Sequence, residues 1–410
     1  MILFKGVWNS MKIKIKTIIY YLTYIYLIFN FIVYINAIVS TLIDYVYIAL
    51  VSIFLLLYFL NSKNKSITKK TLTIPIVLML FVFIQIIFGK FGFFDIFKNS
   101  VFAIIACLIF ENNIFDNDNR DEKKKIDFIY VITCIYLTYF LILSFNSGTL
   151  LAKNNSFFLL SMQDKNLSGV IIFLYMCFCY NKKYKFGVIL CIIYTIFLNS
   201  RMTQMASLLF FGVEYLRKKS IFSKVLKFKL FSSMESKNIY LLIILSQIIM
   251  IGVSYYSAYN IPISQISKYQ ESLMDGSNAI RVRANVYAFE TIKNDAQFIY
   301  RGYDSEIKKQ LGVSDINNST QFMGFRLVQP HSLFLNLVLR YGLIYSFIYL
   351  MYISHLVSIY WNKRTFVSLL AYIFMNMVLP YLFSNGYLIF LLFALQPLVY
   401  DKISMGKEEA

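Results

Sequence analysis

The sequence predicts an all-α protein that crosses a membrane many times. Hydrophobic residues make up 59% of its 410 residues and charged residues only 15%, whereas soluble domains are roughly half apolar and about a quarter charged. The apolar residues fall in blocks of about 15 to 24, and the longer of these can cross the hydrocarbon core as a helix. A transmembrane barrel would show short segments of alternating hydrophobicity instead.

Twelve such blocks are the predicted transmembrane helices. They cover residues 15–36, 37–60, 72–89, 97–114, 126–145, 167–180, 185–199, 202–216, 238–258, 342–360, 365–383 and 386–400. The chain therefore divides into helices 1 to 9 (residues 1–258), one large polar loop with short helices (259–341), and helices 10 to 12 with a tail (342–410).

The basic residues orient these helices. With the N-terminus and C-terminus in the cytoplasm, 26 of the 40 Lys and Arg residues fall in the tails and loops assigned to the cytoplasm or, as for Lys16 and Lys185, just inside the cytoplasmic end of a predicted helix. That bias is the positive-inside rule, from which long loops are exempt. The large loop between the ninth and tenth helices then lies on the outer face. Topology accounts for the net charge of +19, and nucleic acid is not a predicted partner.

Arg201 is the first candidate site residue, because it lies between two predicted helices at the outer face, in Asn199-Ser200-Arg201. A guanidinium stays charged and donates two parallel hydrogen bonds, which suits a phosphate group. The alternative is an interfacial arginine whose side chain extends to the lipid headgroups.

A second candidate segment, Ser277 to Glu290, has a helical pattern and carries Arg281 and Arg283. Residues that are two positions apart on a helix point about 200° away from each other, so these arginines cannot enter one pocket. Arg283 is preferred because it shares a face with Tyr287 one turn later, and Arg281 is the second choice. An ordinary solvated helix face is the alternative for both.

His331 is the third candidate, where the polar loop returns to apolar sequence. Pro330 favours the first turn of a helix, which predicts that His331 also lies there, where a neutral imidazole can accept a proton from a hydroxyl. Three turns later, Gly342 is predicted on the same face, where it would let a helix or lipid chain approach. A purely structural histidine is the alternative.

Weaker candidates complete the set. Asp164 and Asn166 precede or begin the sixth predicted helix and could hold substrate hydroxyls or cap that helix. Asp44 is an acid inside a predicted helix, which marks a functional hypothesis. His355 is predicted to be structural.

Together these residues resemble the O-antigen ligase/polymerase superfamily of bacterial inner-membrane glycosyltransferases. The motifs are Ser200-Arg201 opening a helix, Arg283-x3-Tyr287 followed by a turn with Gly302, and His331-Ser332-x9-Gly342-x2-Tyr345. They lie around a large loop between the ninth and tenth helices, as in that family. The chain has Ser332 where asparagine is usual and Tyr287 where tryptophan is frequent.

The resemblance implies a GT-C-like enzyme that acts on undecaprenyl-diphosphate-linked oligosaccharides at the periplasmic face of the inner membrane. It implies that the arginines engage the lipid diphosphate and that the histidine lies near the acceptor hydroxyl. These catalytic roles fall to Arg201, Arg283 and His331, and substrate contacts to Arg281, Tyr287, Asp164, Asn166, Ser332 and Gly342. No metal or other cofactor is expected, since the arginines can stabilise the diphosphate. The implied partners are the lipid-linked donor and acceptor, membrane lipid and a chain-length regulator protein.

Three activities remain open at this point. A Wzy-type O-antigen polymerase, favoured by Asp164-Lys165-Asn166, would join lipid-linked repeat units. A ligase, which the His331 motif also suits, would transfer the glycan to lipid A–core. A flippase or transporter of lipid-linked oligosaccharide is the third, although one large loop on one side and the lack of an internal repeat favour an enzyme.

Overall fold

The computed structural model is 90% helix within the part of the chain that it describes. That part comprises residues 2–33, 37–60, 76–77, 79–80, 83, 93–112, 114, 128–147, 165–198, 200–217, 233–260, 276–300, 302, 330, 332–363, 365–376, 379 and 386–395. No strand occurs among these residues, which confirms the predicted all-α class.

Thirteen helices within these residues are labelled here in chain order. They are α1 (Ile2–Leu27, continued by a π-helical turn, Ile28–Ile32), α2 (Ala37–Leu60), α3 (Phe93–Glu111), α4 (Phe128–Asn146), α5 (Lys165–Asn181), α6 (Lys185–Phe197), α7 (Arg201–Arg217), α8 (Ser236–Asn260), α9 (Gly276–Asn294), α10 (Leu333–Tyr341), α11 (Leu343–Tyr360), α12 (Phe366–Asn376) and α13 (Gly386–Leu395). A short 3₁₀ helix, Ala296–Ile299, follows α9.

Eleven of the twelve predicted blocks coincide with one of these helices; block 72–89 lies largely outside the described residues. By length and composition, five described segments could cross a membrane: Ile15–Ile32, Leu42–Leu60, Phe128–Asn146, Ser236–Ser257 and Leu343–Tyr360. Four shorter apolar helices accompany them: Asn166–Asn181, Lys185–Phe197, Phe366–Asn376 and Gly386–Leu395. These helices indicate a membrane-embedded protein.

Large apolar side chains cover the outside of several long helices, which fits a lipid environment. Leu56 on α2, Ile135 on α4 and Leu241 on α8 are each more than 60% exposed. Water-soluble proteins seldom carry contiguous apolar surfaces of this kind. The opposite faces enter one core: α5 is buried almost throughout between α6 and α7, and α11 packs between α3, α8 and α10.

The predicted loop 259–341 ends in a buried helix. Seven of the nine residues of α10 are buried, and α10 packs against α8, α9 and α11. The polar character of this range therefore does not extend to its last nine residues.

The start of α10 differs from the prediction that Pro330 and His331 occupy its first turn. The helix begins at Leu333, and Ser332 is its N-cap, with a hydroxyl oxygen that accepts a hydrogen bond from the Leu335 amide at 3.3 Å. Pro330 thus precedes the helix. A serine hydroxyl can cap a free amide, which proline cannot do, so Ser332 determines the boundary.

Gly342 separates two helices instead of continuing one face. It is the C-cap of α10 and the N-cap of α11, with φ 87° and ψ 163°. This backbone region is essentially restricted to glycine. The break at Gly342 means that the predicted stripe from residue 331 to Gly342 does not form. Gly302 lies against the same junction, where an added Cβ would stand 1.9 Å from the carbonyl oxygen of Arg340.

We predict that Gly342→Ala destabilises the protein by about 1–3 kcal/mol, the usual cost of a non-glycine residue in this region. The thermal midpoint of the purified protein in detergent measures this loss. Gly212→Ala is the matched control, because nothing lies within 4 Å of a Cβ built at Gly212. Equal midpoints for the two variants would contradict the assignment of strain to Gly342.

Candidate functional site

The N-termini of α5 and α7 lie side by side, and hydrogen bonds between their side chains hold them together. Ser200, directly before α7, donates its hydroxyl to Asn166 Oδ1 at 3.0 Å. The Thr203 hydroxyl donates to Ser200 Oγ at 3.1 Å. Arg201 begins α7 and is exposed. The structure thus brings Arg201 next to the helix end that carries Asn166.

A glycine allows this close approach. A Cβ built at Gly169 on α5 would stand 2.1 Å from Thr203 Oγ1 and 3.3 Å from Ser200 Cβ. The two positive helix ends therefore share one small region with the backbone of Arg201. Helix N-termini and arginine both favour a bound anion.

A second group of polar residues anchors the N-terminus of α10. The amide of Ser332 donates to Asn285 Oδ1 of α9 at 3.0 Å, and its hydroxyl donates to Gln247 Oε1 of α8 at 2.9 Å. The Phe334 amide also donates to Gln247 Oε1, at 3.4 Å. Three helices distant in sequence therefore meet at the residue that follows His331.

These anchoring residues are inaccessible to solvent. Gln247, Asn285 and Ser332 are at most 1% exposed. The other amide groups have partners as well: Asn285 Nδ2 donates to Ser254 Oγ at 3.1 Å, and Gln247 Nε2 to the Asn376 carbonyl at 3.5 Å. A buried polar group without a partner costs about 1–3 kcal/mol, so this hydrogen bonding stabilises the helix junction.

The two groups are linked through α12. Gln247 bonds the last residue of α12, Asn376, and α12 packs against α7. The order from one group to the other is therefore α10, α8, α12 and α7. Both polar groups therefore belong to one connected set of packed helices.

The described side chains among the predicted site residues are those of Arg201, Asn166 and Ser332, together with Gly342. His331 and Asp164 lie outside the described residues, and for Arg281, Arg283 and Tyr287 only the helical backbone of α9 is described. The structure brings α9 onto α10 and Asn166 onto the start of α7. Ser332 and Asn166 use their polar atoms in helix contacts, and their substrate roles stay predictions.

Helix α9 confirms that the segment Ser277 to Glu290 is helical. Position 281 lies one turn before Asn285, on the face that meets α10, whereas position 283 lies about 160° around the helix from Asn285. The residues that α9 buries, including Ala284, Asn285, Val286 and Ala288, centre on the Asn285 face. The sequence-based preference for Arg283 stays a prediction, with position 281 on the face toward α10.

An ion pair joins α2 to α3. Lys98 pairs with Asp44, which also accepts hydrogen bonds from the Tyr26 hydroxyl at 3.0 Å and from Asn30 Nδ2 at 2.9 Å. Lys98 is the second residue of the predicted helix 97–114, and it lies in α3, which begins four residues before that block, at Phe93.

Two further predicted residues have structural partners. His355 Nε2 lies 2.5 Å from Glu111 Oε1, joining α11 to α3, as its predicted structural role requires. Tyr345, which carries part of the family resemblance, is fully buried and packs between Tyr341 and Tyr349 with ring centroids 5.0 and 5.8 Å away. Within the described residues, no group of three or more His, Cys, Asp or Glu side chains could hold a metal ion.

Sequence reasoning missed Gln247 and Asn285. Gln247 was detectable as an uncharged amide in the stretch Ile243 to Ile251, where Ser246 is the other polar residue, because an amide in such surroundings requires partners. Asn285 lies between Arg283 and Tyr287, in a segment that was already selected, but its partner is 47 residues away.

Comparison of the chain with protein-family models, with curated proteins and with solved structures finds no match in any of the three.

Proposed function

We propose that this protein is a glycosyltransferase of the bacterial inner membrane, an O-antigen polymerase that joins undecaprenyl-diphosphate-linked repeat units at the periplasmic face. One observation carries the proposal. The hydrogen bond from the Ser332 amide to Asn285 joins the arginine-bearing helix α9 to the segment containing His331. Cationic and proton-accepting residues close together are what a diphosphate leaving group and a hydroxyl acceptor require.

The proposed reaction is displacement at the anomeric carbon of the donor glycan. The acceptor hydroxyl oxygen forms the new bond to that carbon, and His331 takes the hydroxyl proton. The bond to the diphosphate oxygen breaks, and its electron pair leaves with undecaprenyl diphosphate. Arg201 and Arg283 stabilise the charge on that leaving group through charge-assisted hydrogen bonds. The step needs no metal ion.

Helix pairing agrees with the helix directions of the proposed twelve-span topology, while the placement of both termini in the cytoplasm rests on the positive-inside rule. Side chains that bond each other belong to helix ends that this topology assigns to one side. Asn99 Nδ2 donates to the Tyr341 hydroxyl at 2.8 Å on the outer side, and Glu111 pairs with His355 on the inner side. The proposed partners are the lipid-linked donor and acceptor, membrane lipid and a chain-length regulator, without nucleic acid.

A ligase is the second candidate within the same chemistry. It would transfer the finished glycan to lipid A–core, and the string His331-Ser332-x9-Gly342-x2-Tyr345 suits it as well. Both enzymes need a cation at the diphosphate and a base at the acceptor, so they differ only in the acceptor.

A transporter of lipid-linked oligosaccharide is a candidate from another class. The observation that favours it is the pair of Asp44 and Lys98 between α2 and α3, because charges between membrane helices often mark a transport pathway. The pair is joined by Tyr26 and Asn30, which also suits a fixed structural contact.

Alanine variants test the proposed catalytic residues. We expect His331→Ala and Arg201→Ala to abolish long-chain glycan. Each variant loses a group that acts in the transition state, where the proton is transferred and charge develops on the leaving group. Gel analysis of the surface glycan, with immunoblotting of membranes for protein level, is the measurement. Arg283→Ala and Arg281→Ala are compared in parallel, and a loss only with Arg281→Ala would reverse the preference for Arg283.

Two control variants match these changes. Lys293→Ala removes an exposed cation from the last turn of the same helix α9, and His355→Gln changes the other histidine while keeping a group that can bond Glu111. Both should retain normal chain length. A normal ladder from His331→Ala would eliminate His331 as the base.

A deletion strain separates the polymerase from the ligase. Loss of a polymerase should leave lipid A–core carrying a single repeat unit, because ligation continues without extension. Loss of a ligase should leave bare core while lipid-linked polymer accumulates. The lipopolysaccharide ladder and the extracted lipid-linked glycan together distinguish these results, and an unchanged ladder would contradict both enzymes.

A further inference from the structure

We propose that Gln247 and Asn285 are positioning residues that hold the segment 330–332 for the transfer reaction, an inference that rests on the proposed function. Gln247 lies on α8 and Asn285 on α9. This role follows from the burial of the N-terminus of α10 and from the side chains that accept hydrogen bonds from its polar groups.

The first step is the location of the anchor. Gln247 lies one residue from the midpoint of α8, the 25-residue helix Ser236–Asn260. Its side-chain oxygen bonds both Ser332 and Phe334. Pro330 and Ser332, on either side of His331, are both buried. The start of α10 thus lies well inside the protein, beside the middle of α8.

The second step is that two independent bonds fix one residue. Ser332 is held through its amide by Asn285 and through its hydroxyl by Gln247. These partners approach from α9 and α8, which pack against each other. Ser332 cannot rotate or shift without losing one of them. His331 is covalently bonded to this fixed residue.

The third step is the consequence for catalysis. A base must stand within hydrogen-bond reach of the acceptor hydroxyl, and a displacement of about 1 Å can cost about 100-fold in rate. Neither Gln247 nor Asn285 needs to touch substrate for this effect. The arginines that hold the diphosphate would keep their affinity for the donor when the anchor is removed.

The test uses Gln247→Leu in the full-length protein, purified in nanodiscs and supplied with a lipid-diphosphate-linked repeat unit. We expect kcat to fall about 100-fold while the KM for the donor stays within about twofold. Hydrogen exchange of the peptide containing residues 332–335 should speed up about tenfold, because the Phe334 amide and the Ser332 hydroxyl lose their acceptor.

Matched variants distinguish positioning from general damage. Ser246→Ala changes the adjacent residue, whose hydroxyl bonds Ile243 in its own helix, and should change neither reading. Gln247→Glu keeps an acceptor oxygen at the same place and, protonated in this buried site, an O–H donor for the Asn376 carbonyl, so it should restore part of the rate and protection. Asn285→Ala removes the other anchor of Ser332, which lies on α9, outside the candidate membrane spans. This variant replaces Gln247→Leu in the test if Gln247→Leu does not fold.

Each outcome decides the matter. A lowered kcat with an unchanged KM and faster exchange supports positioning. Unchanged exchange, or a parallel loss of kcat and donor affinity, overturns it and leaves the proposed function standing. A wild-type protein that extends no glycan overturns the proposed function and the positioning role together, while its exchange pattern still reports whether Gln247 anchors α10.

Discussion

The need to satisfy the first amides of a buried helix organises this protein around the start of α10. A helix leaves its first four N–H groups without partners, and in apolar surroundings each such group is costly. Ser332 caps one of these amides, and Gln247 and Asn285 satisfy the groups around it. Because the two amides belong to α8 and α9, meeting this requirement also determines how both helices pack against α10. The Gln247 bond to Asn376 extends the same constraint to α12.

This constraint connects architecture to the proposed chemistry. Rigid neighbours raise the rate at which a base can take a proton from a reacting hydroxyl, because a base that is already oriented loses less entropy in the transition state. The end of the polar loop has such neighbours at Ser332. Next to α12, which packs against α7, Ser200 and Asn166 hold the start of α7 and thus the backbone of Arg201. Both proposed site segments lie at a helix N-terminus that polar side chains tie to another helix.

The sequence predicted the helices well because hydrophobic length is a local property, and eleven blocks coincide with described helices. It failed where two local signals compete or where partners are distant. Pro330 and Ser332 both signal a helix start. Ser332 is the cap because its hydroxyl oxygen accepts from the Leu335 amide while its hydroxyl donates to Gln247. Gly342 fits one helical face by spacing, but its positive φ ends the helix. Nothing in the sequence indicates that Lys98 pairs with Asp44, 54 residues earlier, and the amides of Gln247 and Asn285 gave no indication of their common partner.

The central claim is that this chain forms a glycosidic bond at the expense of a lipid diphosphate. The most direct measurement incubates the purified protein in nanodiscs with one defined undecaprenyl-diphosphate-linked repeat unit and analyses the products by mass spectrometry. The account predicts lipid-linked glycans of two or more repeat units, with release of one undecaprenyl diphosphate for each bond formed, and without any gradient because nanodiscs enclose no compartment. Substrate that remains a single repeat unit, together with transfer of that same lipid across the bilayer of proteoliposomes, would contradict the account and indicate a transporter.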